Sequence, residues 1–238
     1  MSEPRFKPDA RKLIMENAPK ILFVSILYVA ISTIISELQY RLPGTSEAYI
    51  HFLERLYAGE IPNLNIFFVS LRHAGLALAV VLWLLGSVIS TGFMSYCLKT
   101  NRKLGSDYKD IFDGFMFFGK IVLITIVSAL FVLLWSMLLF FPGIVASYRY
   151  RLAFYILLDN PEKGVMQCIN ESKRMMHKNK LNLFLLELSF IGWFALNFIV
   201  VVFLPVPFAI PIISIWISPY LGLCRAAFYD VLVKQIAA

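Results

Sequence analysis

Charged residues are scarce in this chain of 238 residues: lysine, arginine, aspartate and glutamate together make up 16%, whereas 59% of the residues are hydrophobic. A soluble globular domain carries about 25% charged residues. The shortage excludes an ordinary soluble domain and indicates that much of the surface faces lipid. The net charge of +7 does not indicate a nucleic-acid partner, because the basic residues lie between hydrophobic runs and form no contiguous face on a soluble module.

Catalytic and metal-binding motifs are also missing. The sequence has no glycine-rich phosphate loop, no GxSxG nucleophile elbow and no paired-carboxylate motif. His51 and Glu54 lie three residues apart, but a zinc site needs about three protein ligands. We therefore expect no enzyme activity, no metal and no cofactor. The three cysteines show no CxxC spacing, and we interpret them as free thiols of a reducing compartment: Cys97, Cys168 and Cys224.

Long hydrophobic runs are what the sequence has in abundance. A helix of about 20 apolar residues crosses the hydrocarbon core of a bilayer, which is about 30 Å thick. We therefore predict an all-α fold, a polytopic transmembrane helix bundle with about six spans in three hairpins and with amphipathic interfacial helices. The predicted spans are 21–38, 74–98, 120–141, 144–158, 181–203 and 207–233.

The distribution of lysine and arginine predicts the orientation of these spans, because cytoplasmic loops hold an excess of both residues. Most of them precede the first span or follow the second and fourth spans, and the loop after the first span holds few. We expect a single membrane domain over residues 1–238 with both termini in the cytoplasm. Its parts are a cytoplasmic N-terminal segment (1–20), an outer loop (39–73) and two cytoplasmic connectors (99–119 and 159–180).

The fourth hydrophobic run, 144–158, is short for a span and contains Arg149 and Arg151. Because both connectors are predicted inside, the chain between them must go out and come back. It does so either as two helices hinged at the Pro-Gly pair or as one helix with a re-entrant segment. We favour the hinge, and a second break is expected before the last span. The predicted hinge residues are Pro142, Gly143, Pro205 and Pro207.

The second connector contains a predicted amphipathic helix with a basic end. Asn160 is suited to cap it and Pro161 to occupy its first position, and helical spacing of apolar residues continues to about Lys180. One interpretation is a helix that lies on an anionic membrane surface. The other is a solvated helix that caps the bundle. The basic residues concerned are Lys173, Arg174, Lys178 and Lys180.

Ionisable residues inside hydrophobic runs are costly in lipid, so they face a partner or a water-filled cavity. We predict a buried cluster in which Glu187 pairs with Arg225 or with Arg149 and Arg151, because helical rise places all four at similar depth. Asp159 and Asp230 are expected as further partners nearer the surface. The cluster is either an anion or lipid-headgroup site, since arginines outnumber acids, or a structural tie between helices.

Two helices that are predicted to lead back to the cytoplasmic side contain similar four-residue motifs. An acidic residue follows shortly after each motif. The motifs are Leu152-Ala153-Phe154-Tyr155 and Ala226-Ala227-Phe228-Tyr229. They indicate either a degenerate repeat of two-helix units or aromatic residues that converge at the membrane interface.

The second half of the chain resembles a known family. The resemblance rests on the motifs Phe141-Pro142-Gly143-Ile144, Ala153-Phe154-Tyr155-Ile156-Leu157, Asp159-Asn160-Pro161, Leu188-Ser189-Phe190-Ile191-Gly192-Trp193 and Pro219-Tyr220. They resemble the signature of an uncharacterised bacterial integral membrane family known as domain of unknown function 975. The resemblance implies a multi-pass protein of the bacterial cytoplasmic membrane and supplies no catalytic residue.

Two functions are compatible with these patterns. The first is a non-enzymatic membrane module in an accessory, immunity or envelope role, which binds membrane lipids or another membrane protein. The second is a transporter or exporter of a small molecule or peptide. Transport would use the buried charges Glu187, Arg149, Arg151 and Arg225. A cavity that reaches the cluster from one side favours transport, and a dry, fully paired cluster favours the module.

Overall fold

The computed structural model describes residues 6–41, 54–55, 58–59, 74–138, 140–203 and 212–237. These residues form helices and turns, with no strand among them, so the all-α prediction is confirmed for the described chain. The helices are α1 (Phe6–Glu16), α2 (Ala18–Arg41), α3 (Ala74–Asn101), a 3-10 helix (Tyr108–Phe112), α4 (Asp113–Met116), α5 (Phe118–Leu138), α6 (Phe140–Tyr150), α7 (Ala153–Asp159), α8 (Val165–Met175), α9 (Lys180–Leu188), α10 (Ile191–Phe203) and α11 (Ile212–Ala237).

The chain divides into two compact units. The larger unit comprises Met1–Val29 and Ser87–Ala238, and the smaller unit comprises Ala30–Gly86. In the smaller unit, the side-chain amide of Gln39 on α2 donates to the carbonyl oxygen of Ala79 on α3 at 3.2 Å. The hydrophobic core of the larger unit draws residues from both α2 and α3, from α5 to α9 and from α11.

Among the described residues, three helices are long and apolar enough to span a membrane. They are α2 over Ala18–Gln39, α3 over Ala77–Asn101 and α5 over Phe118–Met137, with mean hydropathies of 2.2, 2.0 and 2.3. Apolar side chains on all three are exposed, as expected for surfaces that face lipid. The predicted hinge residues Pro205 and Pro207 lie outside the described residues.

The predicted runs 144–158 and 181–203 are each divided into two short helices. The first run breaks at Arg151 and Leu152, between α6 and α7, and the second breaks at Ser189 and Phe190, between α9 and α10. At the second break, the Ser189 hydroxyl donates to the Leu186 carbonyl oxygen at 2.5 Å. Such side-chain bonds to the backbone compete with helix continuation. Neither run is therefore a single continuous helix.

The chain reverses between α5 and α6. Pro142 and Gly143 lie in the first turn of α6, immediately after this reversal. A Cβ atom on Gly143 would lie 2.0 Å from Oγ of Ser136 on α5, so the absence of a side chain lets the two helices approach closely. The reversal thus lies just before the predicted Pro142-Gly143 hinge.

The predicted start of the connector helix at Asn160 and Pro161 is wrong. Asn160 is the C-cap of α7, and α8 begins at Val165 after a turn. The Lys120 ammonium group donates to the carbonyl oxygens of Pro161 and Lys163, and these bonds hold the turn out of the helix.

The apolar face of α8 is covered by the bundle. Its buried residues pack within the core of the larger unit, where α8 contacts α5, α6 and α7. This packing accords with a helix that caps the bundle, and the basic end remains exposed together with Met166, Gln167 and Asn170. At that end, Lys173 lies over the rings of Phe131 and Tyr150, whereas Arg174 and Lys178 are exposed and Lys180 is half-buried.

Two glycines bring the backbone of α3 against the segment that follows it. A Cβ atom on Gly92 would lie 1.8 Å from the Ile111 carbonyl oxygen, and one on Gly114 would lie 2.2 Å from the Val88 carbonyl oxygen. Real side chains cannot occupy these positions without movement of the backbone. The contact fixes the first connector against the C-terminal half of α3.

Alanine at Gly92 should therefore destabilise the protein by about 1–3 kcal/mol, the usual cost of overpacking. Gly86→Ala is the matched control, because Gly86 lies on the same helix and an added Cβ there meets nothing within 4 Å. Thermal unfolding of the purified protein, followed by circular dichroism, should show a lower Tm for the first variant only. Equal effects at the two positions would contradict the close approach.

Candidate functional site

Glu187, at the end of α9, is the centre of the predicted buried cluster. Its Oε1 atom accepts a hydrogen bond from Nε of Arg225 at 2.8 Å and lies 2.7 Å from Nη2 of the same residue. Nη2 of Arg151 lies 3.0 Å from the same oxygen, and the Tyr148 hydroxyl donates to Oε2 at 2.8 Å. We call these four residues the Glu187 cluster.

Interrupted helices position the Glu187 cluster. Arg151 lies in the break between α6 and α7, and Glu187 lies two residues before the break between α9 and α10. Arg225 projects from α11, which contains Pro219 six residues earlier. A proline inside a helix removes a backbone hydrogen bond. Three separate chain segments with local irregularities therefore meet at one carboxylate.

The cluster carries one more positive charge than negative charge, because two guanidinium groups share a single carboxylate. The side chain of Glu187 is 13% exposed and that of Arg225 is 23% exposed. Opposite charges withdrawn from water stabilise a fold only when they are well paired and hydrogen-bonded. The carboxylate of Glu187 meets this condition, and the arginines retain donors that it does not use.

Arg149 does not join the Glu187 cluster. Its carbonyl oxygen accepts a hydrogen bond from the Ser172 hydroxyl at 2.9 Å, which ties α6 to α8. Within the described ranges, its guanidinium group makes no ion pair. Asp159 and Asp230 make no ion pair with Arg151 or Arg225 among the described residues, and both bind another arginine.

That arginine is Arg102, one residue after the end of α3. Its Nη1 and Nη2 atoms donate to the two carboxylate oxygens of Asp159 at 2.6 and 2.8 Å. Nε and Nη2 also donate to Oδ1 of Asp230 at 2.9 and 2.6 Å. The Asn101 amide and the Tyr229 hydroxyl satisfy the remaining carboxylate contacts, at 2.6 and 2.9 Å. We call this group the Arg102 cluster.

The Arg102 cluster joins the C-terminal ends of α3 and α7 to the C-terminal half of α11. The side chain of Arg102 is 30% exposed, and those of Asp159 and Asp230 are 18% and 16% exposed. The hydrogen bonds with Asp159 raise the pKa of the Arg102 guanidinium above its ordinary value, so the group stays charged. Planar bidentate pairing of this kind fixes orientation as well as distance.

The sequence analysis did not predict a role for Arg102, although the two similar motifs at 152–155 and 226–229 contained a signal for it. Tyr155 and Tyr229, the last residues of the two motifs, stack with their ring centroids 5.3 Å apart. The acids that follow them, Asp159 and Asp230, converge on the same guanidinium. Arg102, one residue after α3, is the cation that these two acids share.

Further contacts gather the N-terminal segment and the first connector at this part of the larger unit. The apolar face of α1 packs on α11, with the Phe6 ring 6.0 Å from that of Phe228. In the connector, the Lys99 ammonium group lies 2.7 Å from Asp110 and 2.6 Å from Asp113. Residues near both termini therefore meet, together with the ends of α3 and α7.

The described residues offer no site for a metal ion, since no group of three histidine, cysteine or acidic side chains among them is suitably placed. His51 lies outside the described residues, so the His51 and Glu54 pair is not placed. The three cysteines are free, as predicted, and the structure shows that they are buried. In the second connector, burial raises the pKa of the Cys168 thiol, which disfavours the reactive thiolate.

The described part of the chain defines a class: an all-helical protein in which three of the described helices are long and apolar enough to cross a membrane. Residues 137–235 match the model of a family described as "Protein of unknown function (DUF975)", which confirms the resemblance over that stretch. The matched residues include the whole Glu187 cluster and both acids of the Arg102 cluster. No curated protein and no solved structure matches the chain.

Proposed function

We propose that the protein is a non-enzymatic, multi-pass module of the bacterial cytoplasmic membrane that binds anionic lipids at its cytoplasmic side. One observation carries the proposal. The Arg102 cluster brings the ends of both basic connectors together with the C-terminal half of α11. This convergence supports a common location for the starts of both basic connectors at one end of the larger unit, which the positive-inside rule predicts to be cytoplasmic.

The same convergence supports three hairpins. An odd number of spans would leave the two ends of the chain on opposite sides of the membrane. However, α1 packs on α11, and the Cys224 thiol donates to the Phe6 carbonyl oxygen at 3.6 Å. An even number of crossings follows if the divided runs α6–α7 and α9–α10 complete the second and third hairpins. Interrupted backbone is tolerated at membrane depth where protein covers it.

A groove beside α1 is the best candidate for a lipid headgroup. Lys7, Arg11, Lys12, Met15, Glu16 and Tyr220 line it, so basic groups exceed acidic ones. The side chain of Met15 is 60% exposed and offers an apolar contact next to the basic groups. Near a membrane surface, each lysine or arginine contributes about 1 kcal/mol to attraction for anionic lipid.

Anionic lipid should therefore stabilise the purified protein through this groove. Phosphatidylglycerol added to the detergent-solubilised chain should raise the Tm more than phosphatidylcholine does. Arg11→Gln combined with Lys12→Gln should remove at least about half of that difference, because two of the groove's attractive charges are lost. The measurement is thermal unfolding at fixed lipid-to-protein ratios.

The matched control removes two exposed basic residues of the first connector, with Lys103→Asn and Lys109→Gln. Asparagine suits position 103 because Lys103 has a φ angle of 57°. This control should keep the response to phosphatidylglycerol. Equal stabilisation by the two lipids, or equal losses in the two double variants, would contradict lipid binding in the groove.

Transport is the second candidate, and one observation favours it. Arg225, a member of the Glu187 cluster, also lines a cavity of about 120 Å³. Sites at interrupted helices are a recurring feature of secondary transporters. The pairing of Glu187, by contrast, supports a structural tie. The paired carboxylate and the adjacent cavity are compatible with a module that holds a ligand without moving it.

A further inference from the structure

The second half of the first connector lies beside α3 and not beyond its end. A Cβ atom on Gly114 would lie 2.2 Å from the carbonyl oxygen of Val88, and one on Gly92 would lie 1.8 Å from that of Ile111. Val88 precedes the last residue of α3 by thirteen positions, which is about 20 Å along the helix axis. The chain therefore turns back along α3 after that helix ends. We call residues 111–118 the Phe115 segment.

The length of α3 sets the depth of this contact. Its apolar span Ala77–Asn101 has 25 residues, which is about 37 Å of helix, whereas the hydrocarbon core of a bilayer is about 30 Å thick. Val88 lies about 17 Å and Gly92 about 22 Å from the start of that span. Both positions stay inside the core on whichever side of the membrane the excess length lies. The Phe115 segment, which packs against them, therefore lies at membrane depth.

The face of the Phe115 segment that points away from α3 is apolar. Its exposed side chains are Phe112, Phe115, Met116 and Phe118, and Met116 is the most exposed of them, at 76%. The rings of Phe112 and Phe115 lie 6.3 Å apart. Large apolar side chains that are exposed together mark a surface that contacts a partner or a membrane.

The polar groups of the Phe115 segment are satisfied by the protein. Its one charged residue is Asp113, whose Oδ2 atom lies 2.6 Å from the Lys99 ammonium group and accepts a hydrogen bond from the Ser95 hydroxyl at 2.8 Å. In the backbone, the N–H of Phe117 donates to the carbonyl oxygen of Gly114 at 3.2 Å. Paired charges and bonded backbone groups are what a segment of this kind requires at membrane depth.

The apolar surface continues from the Phe115 segment onto α5. The Thr125 hydroxyl donates to Oγ of Ser87 at 3.1 Å, so the first turns of α5 run beside the same part of α3. Further along α5, exposed apolar side chains include Leu123, Ile126 and Leu130. A surface that is continuous with a candidate span, and that lies at the depth of the hydrocarbon core, contacts lipid because a soluble partner does not reach it.

We propose that the Phe115 segment is a re-entrant element that enters the membrane from the cytoplasmic side after Lys109 and holds Phe112, Phe115 and Met116 against lipid acyl chains. The proposal rests on the membrane location given under the proposed function. It does not depend on anionic lipid at the α1 groove, because the acyl chains of any phospholipid would contact these side chains.

Nitroxide labels on single introduced cysteines test the insertion. The full chain is reconstituted in vesicles of phosphatidylcholine, and electron paramagnetic resonance measures collisions of each label with oxygen, which concentrates in lipid, and with a water-soluble nickel chelate. Labels at Met116→Cys and Phe115→Cys should collide more often with oxygen. A label at Lys178→Cys, an exposed position before α9, should show the reverse, with an oxygen-to-nickel ratio several-fold lower. Because the native cysteines are buried, the wild-type chain is the blank.

Leu130→Cys on α5 is the matched control and separates this proposal from the membrane location itself. Collisions mainly with nickel at positions 115 and 116, together with collisions mainly with oxygen at position 130, would overturn the insertion alone. Collisions mainly with nickel at all three positions would contradict the membrane location as well. Few collisions with either reagent at positions 115 and 116 would indicate a protein contact and would also overturn the insertion. Circular dichroism and Tm verify that each variant folds.

Discussion

Glutamine in place of Glu187 should lower the free energy of unfolding by about 3–5 kcal/mol, the usual cost of removing one partner from a buried ion pair. Two guanidinium groups now share this carboxylate, with Oε1 2.7 Å from Arg225 and 3.0 Å from Arg151. The substitution would leave two like charges close together in a poorly solvated site. For a chain of this size, the expected fall in Tm is on the order of 10 °C.

Glu171→Gln is the control for the loss of a less buried ion pair. Glu171 lies 2.8 Å from Lys163, and both side chains are more exposed than Glu187, at 29% and 28%. The expected cost is about 1 kcal/mol or less.

Exchange of the charges tests direct pairing. Glu187→Arg combined with Arg225→Glu should recover part of the stability that each single variant loses. Losses that simply add in the double variant would show that the two residues do not interact.

Replacing Arg102 by glutamine should cost about 3 kcal/mol, because Asp159 and Asp230 would face each other without their shared cation. Both carboxylates are largely buried, at 18% and 16% exposure, so water relieves the repulsion only in part. Chemical or thermal unfolding of the purified protein measures the loss.

Arg102→Lys should fall between wild type and Arg102→Gln, because lysine keeps the charge but cannot contact two carboxylates through a rigid fork. The neighbouring variant Lys103→Asn is the matched control and should be neutral, since Lys103 is exposed. If Arg102→Gln is as stable as Lys103→Asn, the Arg102 cluster does not hold the helix ends together.

The fold class and three members of the Glu187 cluster could be predicted from the sequence. Apolar runs of sufficient length predict helices, and the constant rise per residue predicts that Glu187, Arg151 and Arg225 lie at similar depth. The structure brings these three together. The same reasoning could not exclude Arg149, because depth along a helix does not say which face carries a side chain.

The helix breaks and the Arg102 cluster were harder to predict. The runs around Arg151 and Ser189 are apolar on both sides of each break, so their pattern does not change where the helix ends. Asp159 and Asp230 meet Arg102 across 57 and 128 positions of sequence. Such contacts depend on how the helices pack. The only sequence pattern that indicated them was the pair of similar motifs that end at Tyr155 and Tyr229.

The start of α8 shows a third limit. Asn160 and Pro161 are favourable at a helix start by their own chemistry. The Lys120 side chain instead binds the carbonyl oxygens of Pro161 and Lys163 and so keeps this stretch in a turn. A contact from another helix thus overrides a local preference.

The arrangement in three hairpins with both termini inside is the central claim, and thiol labelling in intact cells tests it most directly. Single cysteines are introduced at exposed positions by Lys12→Cys, Lys109→Cys, Lys234→Cys and Ala58→Cys. The native cysteines are buried and should react little with a membrane-impermeant maleimide. Three hairpins predict labelling of Ala58→Cys in intact cells, and labelling of the other three variants only after permeabilisation. Labelling of Lys12→Cys and Lys234→Cys from opposite sides of the membrane would contradict the account.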